Sequence, residues 1–344
     1  MRKLDLRIDD SSSVPKYIQV VKAIKGLITS DTLKYGDKIP SINNLSADYY
    51  LSRDTVEKAY TILKKQGIIE SVKGKGYYIC HNSDLSKFKI LLLFNKLSAY
   101  KKEIFNSLII ALEDRADIAF HVYHCEYSLF KKILDQQKEA FDYFIIMPHF
   151  KKESEQNAIT LINELPKEKL ILLDNELEGI QGCFGSVFQD FKLDIYNALI
   201  ALKAKLKKYR KLIMVFPFQA NYPYPENILL GFKKYAVEEG FEFDIITEIG
   251  ESTKPQIGEA YIVIEESDLV NLIKKARETN GLKIGENLGI LSYNETPLKE
   301  VLQKGITVIT TDFAKMGKLT GKMILSKQGK NIKNDFKVIV RESL

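Results

Sequence analysis

Arg53 opens a predicted helix in the stretch LSRDTVEKAY, residues 51 to 60. A cation is disfavoured at that end, because the aligned peptide dipoles place partial positive charge there. Either Arg53 is a solvated surface residue or it points at an anion or a base edge outside the chain. Arginine is the side chain best matched to the O6 and N7 acceptors of guanine, so Ser52, Arg53, Asp54, Thr55, Glu57 and Lys58 become candidate nucleic-acid contacts. Shortly after this helix, SVKGKGYY alternates lysine with glycine. Lys73 and Lys75 can present charge to phosphates while the glycines allow close backbone approach. The stretch is no Walker loop, since the GxxxxGK[ST] spacing and the following helix are both missing.

Enzyme chemistry finds little support. His121 and His124 share one predicted strand, where a spacing of three points them to opposite faces, one into a core and one outward, so they make a poor metal pair. Glu265 and Glu266 are adjacent and would point apart on a strand. No GxSxG, HExxH or cysteine–histidine nucleophile pattern occurs, and no catalytic, cofactor or metal site is assigned. Cys80, Cys125 and Cys183 lack CxxC spacing, which fits packing residues in a reducing compartment.

The elements that would position these residues follow from periodicity. Tyr17, Val21, Ile24 and Ile28 recur at helical spacing, with Pro15 at a first-turn position. A turn at Tyr35-Gly36-Asp37 and the Ile39-Pro40 step interrupt helix, and Ser41 then caps a second, short helix to about Tyr49. The third helix has Ser52 as N-cap, Val56, Tyr60 and Leu63 on one face, and Gly67 as its stop. Residues 68–72 and 77–80 read as a hairpin. Helix, helix, helix, hairpin is the winged helix-turn-helix plan, whose third helix enters the major groove.

Residues 81–87, HNSDLSK, are polar and aperiodic and read as a linker between domains at 1–80 and 88–344. Beyond it, short apolar runs such as KILLLF, YFIIM and KLIMVF alternate with amphipathic stretches of a dozen residues or more. That alternation implies parallel sheets with helices on both faces. About eleven strands are too many for one comfortable open sheet, so two Rossmann-like lobes with a cleft are expected. The fold class is therefore α/β with a winged-helix module.

Bulk properties agree. A length of 344 residues suits two domains, and 45% hydrophobic with 28% charged residues suits a globular chain. No tract is long enough to cross a bilayer, and MRKLDLRIDDSSS is polar and lacks the apolar core of a secretory signal, so a cytoplasmic location is expected. Of the net charge of +6, residues 1–80 carry +5. A local positive excess is the footprint of a nucleic-acid-binding module.

Residues 14 to 79 closely resemble the DNA-binding domain of the GntR family of bacterial transcription regulators. The shared features are GDKIPS before the second helix, SRDTV opening the third, LKKQG closing it, and the GKG wing. The resemblance implies a dimer on a double-stranded operator with two half-sites, with Arg53, Lys73 and Gly74 near DNA; Ser41 is a further candidate contact. Asn43 and Glu57 stand where the family commonly has arginine; Glu57 either accepts from a cytosine amino group or faces solvent. Residues 88 to 342 are similar to LacI-type effector domains, which share the periplasmic-binding-protein type I fold. The supporting stretches are KLILLDNE, SVFQDF, ILLGFKKYAVEEGFEF, LGILSYNE and ITVITTDFAKMGKLTGKMIL. Together the halves resemble sugar-responsive regulators of the arabinose-regulator type.

In such folds ligands sit beyond the carboxyl ends of strands, between lobes. The candidates are Asn95 and Lys96, His149, Asp174 and Asn175, Gln189 and Asp190, Glu265 and Asp268, and Asn294 and Glu295. Asp and Asn can pair with sugar hydroxyls, and Tyr293, Phe216 or Phe188 can stack on a ring. The resemblance places Asp190 and Asn294 at ligand positions, and puts Ile228 where an arginine is frequent. The expected function is a homodimeric DNA-binding repressor of carbohydrate-use genes, its repression relieved by a monosaccharide or sugar phosphate, L-fucose and L-arabinose being guesses. The rival is an α/β enzyme or nucleotide-dependent protein that uses its N-terminal domain for protein contacts.

Overall fold

A computed structural model describes residues 4–9, 12, 14–30, 32–80, 87–137 and 141–344. The chain divides into two units, Met1–Lys87 and Phe88–Leu344, hereafter the head and the body. Most of the expected linker, residues 81–86, lies outside the described residues.

The head contains α1 (Lys16–Thr29), β1 (Lys38–Ile39), α2 (Ile42–Asp48), α3 (Arg53–Lys65), β2 (Ile69–Val72) and β3 (Gly76–Ile79). Ser41 and Ser52 cap α2 and α3, their hydroxyls accepting from the backbone N–H of Asn44 and Thr55 at 3.2 Å each. Val20, Ile24, Leu45, Val56, Ala59 and Leu63 bury the apolar stripes of the three helices against Ile39, Ile69 and Ile79 of an antiparallel sheet ordered β1-β3-β2. The Tyr60 hydroxyl donates to the Pro40 carbonyl at 2.8 Å and its ring meets Tyr77 edge-on, which locks α3 to the sheet. Two features differ from expectation. The region read as a turn and an X-Pro step includes β1, whose Lys38 and Ile39 pair with Tyr78 and Tyr77 and so cover an edge of β3. The N-terminal segment is also more than a polar lead-in: Leu4 and Leu6 are buried in the core. The Tyr49 hydroxyl accepts from the Leu6 N–H and donates to the Leu4 carbonyl.

The body holds two lobes. The first contains β4 (Phe88–Phe94), α4 (Ala99–Leu112), β5 (Ala116–Val122), α5 (Tyr127–Gln137), β6 (Tyr143–Ile146), α6 (Lys152–Asn163), β7 (Leu170–Asp174) and β8 (Gly185–Phe188). The second contains α7 (Phe191–Ala201), α8 (Lys203–Leu206), β9 (Lys211–Val215), α9 (Asn227–Glu238), β10 (Glu242–Ile246), β11 (Glu259–Val263), α10 (Glu266–Glu278), β12 (Leu288–Tyr293), α11 (Pro297–Val301) and β13 (Thr307–Thr311). The chain then returns to the first lobe with α12 (Phe313–Ser326) and β14 (Asn331–Lys333), and ends in the second with β15 (Phe336–Ile339).

The sheets run β14-β8-β7-β6-β4-β5 and β10-β9-β11-β12-β13-β15, and every pairing in them is parallel except β13 with β15. Both repeat one order, with a switch point beside the first strand of each lobe, where the chain's direction of winding reverses and a crevice opens. Consecutive residues of β4 are buried because helices cover both faces: Ile90, Leu92 and Phe94 pack toward α4 and α12, Leu91 and Leu93 toward α5 and α6. Beyond the runs recognisable from sequence, β14 and β15 are short and only partly apolar.

Three crossings join the lobes, and one buried residue on the third bonds to the other two. The Asn334 backbone N–H donates to the Phe188 carbonyl at 2.7 Å, and its amide donates to Thr311 Oγ1 at 3.1 Å and to the Asp312 carbonyl at 2.9 Å. The returning α12 packs tightly on α4, where Gly317 and Gly321 leave no room for a side chain. A Cβ on Gly317 would overlap Ser107 Oγ and the Ile104 carbonyl, whereas one on Gly26 of α1 would meet nothing within 4 Å. Opposite outcomes are therefore expected for one substitution. In urea unfolding, Gly317→Ala should destabilise the body by about 2 kcal/mol through overpacking. Gly26→Ala should stabilise the head by about 0.5–1 kcal/mol through helix propensity.

Candidate functional site

On the head, the Ser52 cap fixes the start of α3 and presents Arg53, Asp54, Glu57 and Lys58 to solvent. Thr55 is half-buried, its hydroxyl 2.7 Å from Ser52 Oγ, so both hydroxyls serve the cap. Lys58 Nζ sits 4.2 Å from the Tyr17 ring centroid, a cation–π contact inside the head that competes with any outward role. Asn43 is exposed on α2. The wing between β2 and β3 exposes Lys73, Gly74 and Lys75, and Gly74 takes a φ of 75°, a left-handed conformation that suits glycine. Exposed positive groups thus include Arg53 at the start of α3 and Lys73 and Lys75 at the wing tip, while Lys22, Lys34, Lys64 and Lys65 are exposed elsewhere on the head.

In the body, the carboxyl ends of β4, β6, β7 and β8 converge on a buried polar network. Asp174 ends β7 with a φ of 71°. One carboxylate oxygen accepts from His149 Nε2 at 2.7 Å, and the other accepts from the Gln189 amide. Lys101 Nζ lies 3.8 Å from Asp174 and donates to Asn95 Oδ1. Burial alone would raise the Asp174 carboxyl, but the His149 hydrogen bond, the Lys101 charge and Gln189 hold it well below its ordinary range. Burial pushes Lys101 down to about 8, even with Asp174 beside it. His149 is likewise lowered by burial against the pull of Asp174. Its contact is therefore a neutral imidazole donating to a carboxylate rather than an ion pair at neutral pH.

These side chains wall a cavity of about 40 Å³ together with Tyr224, Tyr293 and Asn294. Of the residues proposed from sequence, Asn95, Lys96, His149, Asp174, Gln189, Tyr293 and Asn294 meet there. Seven do not line it. Asp190 caps α7, its carboxylate accepting from the Leu193 N–H at 3.0 Å. Phe216 is buried in the second lobe's core, 2% exposed, so it cannot stack on a ligand. Asp268 accepts from the Ile249 N–H at 2.7 Å, joining α10 to the loop after β10. Asn175 donates to the Pro148 carbonyl and Glu295 pairs with Arg341. Phe188 does not line the cavity, and Glu265 enters only through Tyr224. His121 is half-buried at the end of β5, and His124 lies beyond that strand, exposed, so neither is a core residue.

Lys101 and Tyr224 escaped notice for different reasons. Lys101 shares a helical stripe with Ile104, Leu108 and Leu112, all buried, so helical phase could have separated it from exposed Lys102. Tyr224 sits in an irregular loop where no period applies, and only the doubled Tyr-Pro of NYPYPEN marks it.

A winged-helix head and a two-lobed body of the periplasmic-binding-protein type define a DNA-binding regulator. The profile of the bacterial regulatory proteins of the gntR family matches residues 16–79. The HTH-type transcriptional repressor YtrA of Bacillus subtilis is 35% identical over 99 residues, 29% of this chain and 72% of that repressor. The chain belongs to the GntR family of bacterial regulatory proteins. The arabinose metabolism transcriptional repressor of Geobacillus stearothermophilus is 33% identical over 67 residues, 19% of this chain and only 18% of that relative's length. A LacI family transcriptional regulator from Lactobacillus casei, solved with bound glucose, superposes with a TM-score of 0.55 at 13% identity, covering 74% of this chain and 99% of that one. At such identity the likeness shows the fold of the body. Among the described residues no helix is long and apolar enough to cross a membrane.

Asp174 is the natural place to test the network. Asp174→Asn strands a buried lysine, and in urea unfolding near pH 7 the body should lose about 3–5 kcal/mol. Because the folded carboxyl lies below its unfolded value of about 3.9, its stabilisation is complete well above that pH and drains as pH falls through it. The gap between wild type and variant should accordingly shrink below about pH 4.

Proposed function

We propose that this protein is a cytoplasmic, homodimeric bacterial repressor whose grip on a two-half-site operator is set by a sugar held between the lobes of the body. The observation that carries the reading is Arg53, exposed at the Ser52-capped start of α3, where a cation is unfavourable unless an anion waits outside. Guanine edges and phosphates supply that partner, and the wing lysines extend the same positive surface. Asp54 and Glu57 make α3 less basic, so specificity leans on Arg53 and the wing together.

For the body, support comes from polar atoms at the cavity wall. Gln189 Oε1, Tyr293 Oη and Asn294 Oδ1 are buried with no hydrogen-bond partner among the described residues, and Lys96 is half-buried beside them. Such a wall suits a ligand rich in hydroxyl donors. The glucose-bound relative and the arabinose repressor point to the same class of effector, a monosaccharide or sugar phosphate, with L-arabinose and L-fucose as first trials. Binding would shift the relative position of the lobes, change the spacing of the paired heads and so alter operator affinity, without catalysis and without a cofactor or metal.

An operator selected in vitro by the wild type gives the test. Arg53→Ala should weaken binding to it by ~10- to 100-fold, while any sugar affinity stays unchanged; equal operator affinity would contradict the assignment. Wild-type affinity should fall steeply and linearly with the logarithm of salt concentration, and a flat dependence would argue against DNA as the partner.

A further inference from the structure

The loop from β9 to α9, residues 216–226, belongs to the second lobe and carries Tyr222 and Tyr224 among Pro217, Pro223 and Pro225. Both tyrosines reach the first lobe. Tyr222 Oη lies 3.0 Å from His124 Nδ1. Lys96 Nζ donates to Tyr224 Oη at 3.1 Å and stands 4.7 Å and 5.3 Å from the centroids of the Tyr224 and Tyr222 rings. The Tyr224 hydroxyl in turn donates to Glu265 Oε1 at 2.6 Å. The phenol is thus held as an acceptor by one lobe and as a donor by the other.

This arrangement leaves little space. Pro223, Tyr224 and Pro225 line the cavity, and its volume of about 40 Å³ suits a water or two, against roughly 300 Å³ or more for an ordinary small-molecule pocket. Meanwhile Gln189, Tyr293 and Asn294 present polar atoms with no partner among the described residues. A cleft whose wall offers free acceptors but whose volume is taken by its own loop is shut by something exchangeable.

We propose that Tyr224 is an internal competitor of the effector, its hydroxyl occupying the Lys96–Glu265 position that one ring hydroxyl of a neutral polyol takes when the loop withdraws. The ligand half of this statement rests on the sugar-sensor reading; the plug does not. A sugar hydroxyl can replace the phenol one for one, accepting from Lys96 and donating to Glu265. A phosphate at the same point can accept from Lys96 but faces the Glu265 carboxylate without a proton to give, so the site selects an uncharged ring over a phosphorylated one there. Closure by the loop lowers apparent affinity by the fraction of molecules in which it is withdrawn.

Tyr224→Phe keeps the ring and removes the hydroxyl that both lobes hold. In ligand-free protein, hydrogen exchange at the amides of residues 218–226 should accelerate at least tenfold while α4 and α12 stay protected as in the wild type. Unchanged exchange in the loop would overturn the plug. Calorimetric titration with L-arabinose, L-fucose, D-glucose and D-glucose 6-phosphate then tests the competition: whichever neutral sugar binds the wild type should bind Tyr224→Phe about tenfold tighter. Equal or weaker binding would overturn the competition, and preference for D-glucose 6-phosphate would overturn the choice of a neutral ligand. If the loop loosens and none of the four binds either protein, the plug stands and the sugar-sensor reading fails.

Discussion

Asp174 is a carboxylate with almost no access to water, and the groups that must compensate it determine the shape of the first lobe's rim. These groups gather at three strand ends besides its own: Lys101 in α4 with Asn95 beyond β4, His149 beyond β6 and Gln189 beyond β8. A buried charge left without any of these costs several kcal/mol, so the four strand ends are held in one arrangement. The consequence is a preformed wall whose own polar groups are largely satisfied by each other, leaving Asn294, Tyr293 and Gln189 to offer atoms to a ligand.

Movement is then left to the joint between the lobes. Asn334, buried on one crossing, bonds to the other two, whereas the ion pairs around it, Lys315 with Asp335 and Lys337 with Asp312, involve half-exposed lysines. Exposed pairs of this kind contribute little. The crossings are also joined by the Asp312 N–H and the Thr311 hydroxyl, both donating to the Asp335 carbonyl at 2.9 and 3.1 Å, while tight glycine contacts such as Gly317 against α4 hold the packing of the first lobe. The tyrosine loop spans the opening that movement at this joint would widen.

Much of this was legible in the sequence, unevenly. Ser41 and Ser52 announced two helix starts because a hydroxyl at an N-cap satisfies an otherwise orphaned N–H, and the apolar stripe of α3 named its own core residues. The body's alternation of short apolar runs with longer amphipathic ones gave the two-lobed fold, since a strand covered on both faces has no polar side. Individual cleft residues were harder, because a strand end specifies a neighbourhood and a single residue's phase decides its role. Gln189 turns into the cleft while Asp190, next to it, caps a helix. Phe216 follows β9 as expected yet is drawn into the core, and the aromatic that reaches the cleft is Tyr224, eight residues further along a loop with no period. Leu4 and Leu6 were hidden among the charges of Lys3, Asp5 and Arg7, although their spacing of two matched an extended segment.

Coupling between the cleft and the DNA surface is the central claim, and thermodynamic linkage measures it directly. Operator affinity would be determined by fluorescence anisotropy with and without a saturating sugar, and sugar affinity by calorimetry with and without operator. Reciprocal coupling requires both affinities to change by the same factor, and a repressor released by sugar requires both to weaken. A sugar that fills the cleft of the operator-bound protein and leaves operator affinity unchanged would contradict it.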